Sequence, residues 1–390
     1  MGLLQVIIGG IIDNNTKKMC EISTKGLQMM KKCLIVISKS FKHLKGGNWM
    51  VSMKDIAQAC GVSVATVSKA LNDHSDIGEE TKTRIRETAK RMGYLPNAMA
   101  RALKTNRTYN IGVMFEDAEG SGLTYDYFSF MLSHFKRQVE YKGYDITFLN
   151  SRSNGRMSCL EHCRYRNFDG IFIPCTDFYD PQVLELVRSN IPVVTIDHVF
   201  DNCICVISDN VDGMRQLVEY AYECGHRRIA YIHGLDCSVT RARVSSFYYT
   251  CQKLGITVPG EYVVETPYRD VQKAMERTKE MLSRKNPPTC IIYPDDLTCY
   301  AGISAIREMG MKVPEDVSVM GYDGTMIGQM TEPKLTTLFQ DTVALGEKAA
   351  EALVELIEHP KTTLIQNYVI PGQLLPGGSV KKITKTIAKK

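Results

Sequence analysis

Five charged side chains lie at or after the ends of predicted apolar strands, where a parallel sheet gathers polar groups along one edge. They are Asp197, Arg243, Asp295, Asp296 and Asp323. A carboxylate accepts hydrogen bonds from two neighbouring hydroxyl groups, and a guanidinium group donates in a planar fork. These residue types around one cleft favour a hydroxyl-rich ligand such as a sugar. Asp296 has an alternative interpretation, as a cap for the helix that begins at Leu297.

The motifs of common enzyme classes are not found in the sequence. There is no G-x-S-x-G, no H-E-x-x-H and no Walker-type phosphate loop, and the eight histidines show no metal-ligand spacing. The acidic segment 116–120 follows the first predicted strand of the body, where a dinucleotide site needs glycines and no negative charge. Thirteen cysteines without a C-x-x-C pair indicate reduced thiols. We therefore expect a protein that is not an enzyme and that holds neither metal nor cofactor.

A second group of candidates lies on a short predicted helix. Helical patterns are found at residues 53–60, 64–71 and 79–92. Ser52 can cap the first helix, Gly61 permits a tight turn, and Ser63 can cap the second. Because Val67 and Leu71 face inward, the second helix exposes another set: Val64, Ala65, Ser68 and Lys69. Three short helices with such a turn are typical of a helix-turn-helix DNA reader, and also of a purely structural bundle.

The stretch 53–103 resembles the DNA-binding head of the lac repressor family. The residues that carry the resemblance read K-D-I-A-x-x-x-G-V-S-x-x-T-V-S-x-x-L-N at 54–72, T-x-x-R-I at 81–85 and G-Y-x-P-N-x-x-A-R-x-L at 93–103. The resemblance implies that Val64, Ala65 and Lys69 contact bases, while Thr66 and Ser68 lie nearer phosphates.

The side chains on this helix limit what it can read. Val64 and Ala65 can touch a thymine methyl group but cannot form paired hydrogen bonds, so Lys69 is the expected guanine reader. Packing within the head is the alternative role for Val64.

Residues 94–103 resemble the hinge of the same family, a helix that orders only on operator DNA. Asn97 can cap this helix, and Leu103 occupies the position of the family's minor-groove wedge. Two such leucines would kink the duplex at a cost of a few kcal/mol, which wider contact must offset. The C-terminal segment lacks the leucine heptads of tetrameric relatives, so we expect a homodimer that reads a pseudo-palindromic operator.

Residues 109–376 alternate β-rich apolar runs with helical stretches, which is typical of βαβ units and a parallel sheet. Strands are predicted at 110–115, 145–150, 170–174, 192–197, 228–233, 289–294 and 317–323. The pattern resembles the family's two-lobed body, with the ligand between the lobes at the carboxyl ends of strands. The predicted fold class is α/β: a three-helix helix-turn-helix head and a two-lobed, periplasmic-binding-protein-like (Rossmann-like) effector domain.

The body departs from the family pattern at two positions. Ser246 stands where R-x-x-G-F has glycine, and Asp295 stands where the family has asparagine. The added negative charge favours a neutral polyol or a cationic group over an acidic effector. Phe128 and Phe247 lie on presumed helices near the cleft, and the sequence leaves open whether they stack on a sugar ring or pack in the core. The expected effector is a carbohydrate.

The formal net charge of +5 is unevenly distributed. Residues 1–52 have eight lysines against two acidic residues, residues 381–390 have five lysines, and the stretch 109–380 is net acidic. A basic head on an acidic body favours contact with nucleic acid at one end. The longest apolar runs are too short to span a bilayer and no basic leader precedes them, so we expect a cytoplasmic protein without membrane contact.

The predicted organisation has five parts. They are an unassigned extension at 1–49, the DNA-binding head at 50–95, the hinge and linker at 96–108, the effector-binding and dimerisation domain at 109–376, and a basic tail at 377–390. We also hypothesise that Met50 is the physiological start, because a start at Met53 would delete the Ser52 cap. The rival interpretation is a transport-type sugar-binding protein, which would carry a secretion signal and no head.

Overall fold

The computed structural model describes residues 51–95, 102, 107–117, 122–149 and 157–383. The chain divides into two compact units, residues 1–97 and 98–390. Asn97 and Leu103 lie outside the described residues, as do the extension 1–49 and the end of the predicted basic tail. None of the helices in the described part of the chain has the length and apolar composition needed to cross a lipid bilayer.

Within its described residues, 51–95, the first unit has three helices with the predicted bounds. They are α1 (Met53–Cys60), α2 (Val64–Leu71) and α3 (Glu79–Met92). Ser52 and Asp55 form a reciprocal capping box at the start of α1, and Gly61 ends that helix in the left-handed conformation at φ 65°. The Ser63 side chain accepts from the Thr66 N–H at 3.0 Å and so caps α2. These caps fix where each helix begins and ends.

A small apolar core holds the three helices together. Its buried members are Ile56, Ala57, Val67, Ala70, Ile85 and Ala89. Small alanines at the crossings let the short helices approach closely. Since Val67 is fully buried and Val64 is 45% exposed, α2 turns one face to the core and leaves the other in solvent.

The second unit has two lobes, each built on a six-stranded sheet. The first sheet has the order β11-β5-β4-β3-β1-β2 and is parallel throughout. Its strands are β1 (Asn110–Phe115), β2 (Asp145–Phe148), β3 (Gly170–Cys175), β4 (Val193–Ile196), β5 (Ile204–Ser208) and β11 (Asn367–Ile370). Helices cover both faces of such a sheet, which is why β1, β3 and β4 read as continuous buried runs.

The second sheet has the order β12-β10-β9-β8-β6-β7, and only β12 runs antiparallel to its neighbour. Its strands are β6 (Ile229–His233), β7 (Val263–Glu265), β8 (Cys290–Ile292), β9 (Ser318–Asp323), β10 (Thr336–Phe339) and β12 (Gln373–Leu375). The helices of both lobes are α4 (Asp126–Tyr141), α5 (Cys159–Arg166), α6 (Pro181–Val187), α7 (Asn210–Glu223), α8 (Ser238–Lys253), α9 (Val271–Leu282), α10 (Asp296–Glu308), α11 (Met326–Met330) and α12 (Thr342–Glu358).

The chain crosses between the lobes more than once, so each lobe contains distant segments. After β10 in the second lobe, α12 returns to the first lobe and packs its apolar face against α4. Gly346 permits this contact, because a Cβ atom there would lie 2.3 Å from the Met131 carbonyl oxygen. The first lobe therefore includes α12 and β11, which follow most of the second lobe in the sequence.

Several elements differ from the predicted ones. The strand β5 follows β4 without an intervening helix, so a prediction based on strict alternation of strands and helices does not include it. The strands β7, β10 and β12 were not predicted because they are too short to give a clear apolar pattern. The segment predicted as a basic tail also begins within the second lobe. Ser379 is fully buried, and its backbone and side chain both bond to Val319.

Candidate functional site

A cavity of about 320 Å³ lies between the lobes at the carboxyl ends of the parallel strands. Residues after β3, β4, β6 and β9 line it, and the N-terminal turns of α4 and α8 close its sides. Ligands in open α/β folds bind at this edge, because the loops there are free to vary while the strands stay rigid. Of the five predicted effector contacts, Asp197, Arg243 and Asp323 line the cavity.

Asp197 follows β4 and has a left-handed backbone conformation at φ 56°. Its Oδ1 accepts from the Ser208 N–H at 2.8 Å, and its Oδ2 accepts from the Tyr127 hydroxyl at 3.1 Å. Burial raises the pKa of this carboxyl group above its ordinary value. The two hydrogen bonds aim the carboxylate, which keeps further lone pairs for a ligand hydroxyl.

Asp323 ends β9, also with a positive φ of 101°. Its Oδ1 accepts from Gln340 Nε2 at 2.5 Å, and its Oδ2 accepts from the hydroxyl of Tyr125, a residue of the other lobe. Burial raises the pKa of Asp323 to about 6. A residue held in a strained left-handed conformation by neighbours on two lobes is typical of a functional position.

Arg243 lies on α8 and is only 3% exposed. Its Nε donates to Asn210 Oδ1 at 2.7 Å, and its Nη1 donates to the Pro294 carbonyl oxygen at 3.0 Å. The guanidinium carbon also lies 3.4 Å from the ring centroid of Tyr322. These contacts hold a buried cation at the cavity wall in a fixed orientation.

Asp295 and Asp296, which were also predicted to contact an effector, are not among the residues that line the cavity, and their carboxyl groups have partners within the second lobe. Asp295 is 1% exposed; its Oδ1 caps α10 by accepting from the Thr298 N–H at 2.8 Å. Asp296 is fully buried and accepts three hydrogen bonds from Thr325 and Thr337. Burial raises the pKa of Asp296 to about 8. Both carboxyl groups are occupied in holding the second lobe together.

Two other cavity residues were missed because the strands that precede them were missed. Gln340 directly follows β10, and Arg269 lies in the loop after the three-residue strand β7. His198 also lines the cavity, with its ring stacked on Phe178 at 4.4 Å, and burial lowers the pKa of this histidine. Of the two undecided aromatics, Phe128 lines the cavity, while Phe247 is fully buried in the core of the second lobe.

Polar contacts join the two lobes around the cavity. Arg269 of the second lobe forms an ion pair with Asp117 of the first, and the two side chains are 11% and 2% exposed. The Ser238 hydroxyl donates to the Asp197 carbonyl oxygen at 2.6 Å. Together with the Tyr125–Asp323 contact, these bonds hold the lobes close.

The predicted DNA-reading residues lie on the solvent side of α2. Val64, Ala65 and Lys69 are exposed, and Thr66 and Ser68 are half-buried at the edge of the helix. The Thr66 hydroxyl contacts that of Ser63 at 2.8 Å. The fold thus presents the predicted base-contacting side chains together on one accessible face.

Within the described residues, no group of three or more His, Cys, Asp or Glu side chains has the arrangement of a metal site. The cavity instead combines carboxylates, a fixed guanidinium group and aromatic rings. This set of groups suits hydrogen bonding to a small polar molecule that has an apolar face.

Comparisons with known proteins agree with both units. Residues 52–97 match the family model described as bacterial regulatory proteins, lacI family, and residues 218–380 match the periplasmic binding protein-like domain. The chain is similar to the HTH-type transcriptional repressor PurR of Pectobacterium atrosepticum, with 30% identity over 316 residues that cover 79% of this chain and 91% of the relative. A PurR of Haemophilus influenzae is 29% identical over 343 residues, covering 86% of this chain and all of the relative.

The fold is that of a solved lac repressor dimer bound to operator and the anti-inducer ONPF. The two chains share 22% identity with a TM-score of 0.72, and the match covers 85% of this chain and all of the other. A similar head and body are thus found together in one solved structure. The 30% identity to PurR over 79% of this chain, together with the match of the head to the family model, means that this chain belongs to the lacI family of bacterial regulatory proteins.

Proposed function

We propose that the protein is a transcriptional repressor that binds operator DNA through α2 and binds a small effector in the cavity between its lobes. The observation that carries the proposal is that one chain combines the exposed face of α2 with a lined cavity that contains Asp197, Arg243 and Asp323. A homodimer would place one head on each half of a pseudo-palindromic operator. Asn97 and Leu103 would act in the hinge. Like other DNA-binding regulators of bacteria, the protein would work in the cytoplasm, without a catalytic step.

The experiment that tests the proposal is genome-wide mapping of bound sites, followed by quantitative binding to the recovered promoters. We expect nanomolar affinity for a palindrome-like site and a steep loss of affinity as salt increases. The rival transport-type sugar-binding protein would bind sugars and leave every promoter fragment unbound. DNA binding without sequence preference, or no DNA binding, would therefore contradict the proposal that the protein is a regulator. It would not contradict the proposal that the cavity binds a small molecule.

We further propose a carbohydrate effector that is neutral or cationic. Four carboxylates line the cavity: Asp177, Asp197, Asp236 and Asp323. Asp236 is paired with Arg241, the positive charge of Arg269 is paired with Asp117, and Arg243 at the wall offsets one more carboxylate, so an excess of two negative charges remains. This charge excess disfavours an acidic ligand. CelR, a regulator of similar fold at 23% identity and a TM-score of 0.62, is named with cellobiose, a neutral sugar.

A thermal-unfolding panel of neutral sugars, amino sugars and sugar acids tests this ligand class. A ligand present at about 100 times its Kd stabilises the folded state by about 2.7 kcal/mol, which raises the Tm by several degrees. We expect such a shift with at least one neutral or amino sugar. A shift with the sugar acids alone would contradict the proposed class.

Binding of a neutral polyol should weaken in mild acid. Asp323 titrates at a pKa of about 6 when folded, and only its ionised form accepts hydrogen bonds with every lone pair. We expect affinity to fall as the pH drops through about 6, measured by calorimetric titration. The stability of the free protein should change in the opposite direction. Because the pKa of Asp323 is higher in the folded than in the unfolded protein, the free energy of unfolding decreases as the pH rises from about 4 to 6. An Asp323→Asn variant should show weak binding without this pH step, and a step that persists in the variant would assign it to another group.

A further inference from the structure

The cation on the DNA-reading helix is already paired with a carboxylate. Lys69 Nζ lies 2.5 Å from Asp76 Oδ2, and the two side chains are 49% and 52% exposed. Asp76 lies in the turn between α2 and α3, seven residues further along the chain. The ion pair therefore lies on the same exposed side of the unit as the predicted base contacts Val64 and Ala65.

A second acidic residue in that turn has a different partner. Asp73 contacts Lys82 Nζ at 3.1 Å and Arg86 Nη2 at 2.8 Å, and both of these residues belong to α3. Its contacts fasten the turn to the third helix, whereas Asp76 contacts only the reading helix among the ion pairs of the described residues. In this turn, the Asp73 carboxylate stabilises the packing against α3, and the Asp76 carboxylate contacts Lys69.

Pairing changes what a lysine offers to DNA. Sequence-independent affinity comes from cations that neutralise phosphates and release counterions, and a lysine whose charge is compensated contributes little to it. The ammonium group has three N–H donors, so one bond to Asp76 leaves two for the O6 and N7 acceptors of guanine. The nearby carboxylate also repels phosphate oxygens. Compensation therefore weakens phosphate contacts more than base contacts.

We infer that Asp76 is a specificity-determining residue, which holds Lys69 as a directional base-reading donor and keeps it from acting as a general phosphate-binding cation. This inference rests on the proposed DNA-binding function and adds to it a residue outside the reading helix. Asp76 is a positioning residue, because it acts on the DNA through Lys69.

The test compares Asp76→Asn with the wild-type full chain on two probes. One probe is a random-sequence duplex pool of about 30 base pairs, and the other is the duplex most enriched from that pool by the wild-type protein. We expect the variant to bind the random pool about twofold to fivefold more tightly, which is the range for an exposed ion pair. The slope of log affinity against log salt should steepen by about 0.9 for each subunit, because Lys69 then neutralises one more phosphate. The preference for the enriched duplex should fall by at least about threefold.

The matched control is Asp73→Asn, which removes the same charge from the same turn. Asparagine is well tolerated at its left-handed φ of 60°, so the control should fold. Each change is repeated in a Lys69→Ala background. The effect of Asp76→Asn should vanish there, while any effect of Asp73→Asn should persist.

The outcomes are separable. An unchanged preference and salt slope in Asp76→Asn would overturn the inference, as would equal weakening on both probes or an effect that survives Lys69→Ala. Failure of the wild-type protein to enrich any duplex would instead overturn the proposed function, and this inference with it.

Discussion

Replacing Arg243 with methionine is expected to lower affinity for the effector at least about 30-fold, because truncating one partner of a buried charged hydrogen bond costs about 2–5 kcal/mol. The side chain is 3% exposed and is held by Asn210 and the Pro294 carbonyl oxygen at the cavity wall. Calorimetric titration with the sugar that gives the largest thermal shift measures the loss. The Tm of the variant without ligand should also fall, since Asn210 loses its buried partner.

The matched control lies two residues earlier on α8. Arg241 is 51% exposed and bonds to Asp236 and the Tyr179 hydroxyl at the cavity rim. Because exposed ion pairs contribute about 0–1 kcal/mol, Arg241→Met should change effector affinity by less than about fivefold. Equal losses in the two variants, or wild-type affinity in Arg243→Met, would show that the effector binds elsewhere.

The second large effect is expected in the head, where Val67→Asp should abolish operator binding by unfolding the three helices. Val67 is fully buried in a small core of six apolar side chains, and an unpaired carboxylate there costs more than about 3 kcal/mol. So small a unit has little stability to spare. Circular dichroism and limited proteolysis should report loss of the head, while the effector-dependent thermal transition of the body is retained.

Val64→Asp separates folding from recognition on the same helix. Val64 is 45% exposed, so the aspartate stays solvated and the head should remain folded. Operator affinity should still fall by at least about tenfold, because the new charge would be repelled by phosphates and the proposed thymine contact would be lost. If Val64→Asp also unfolded the head, the alternative packing role of this residue would be favoured.

The head was predictable from local sequence because its determinants are local. The capping box joins Ser52 to Asp55, and the Ser63 cap reaches Thr66, each across three residues. Glycines at the helix ends add a conformational signal that needs no tertiary partner. The motif at 54–72 therefore predicted both the helix bounds and the exposed face of α2.

The cavity was predictable only in part. Asp197 and Asp323 were found because each is the last residue of a predicted strand, and parallel strands place their carboxyl ends at one edge. The same rule also selected Asp295 and Asp296, which the structure uses to cap a helix and to bond two threonines. Strand-end position alone does not state which way a side chain turns.

The sequence by itself determined the alternation of strands and helices in the body and the capped helices of the head. It also contained the motifs that the head shares with its family. The tertiary structure alone decided which polar groups meet across the lobes. Tyr125 and Asp323 are 198 residues apart, and Arg269 and Asp117 are 152 apart. Such contacts depend on strand order and on where the chain crosses between lobes. No local pattern encodes these, because they emerge only when the two sheets have packed and the crossings are fixed.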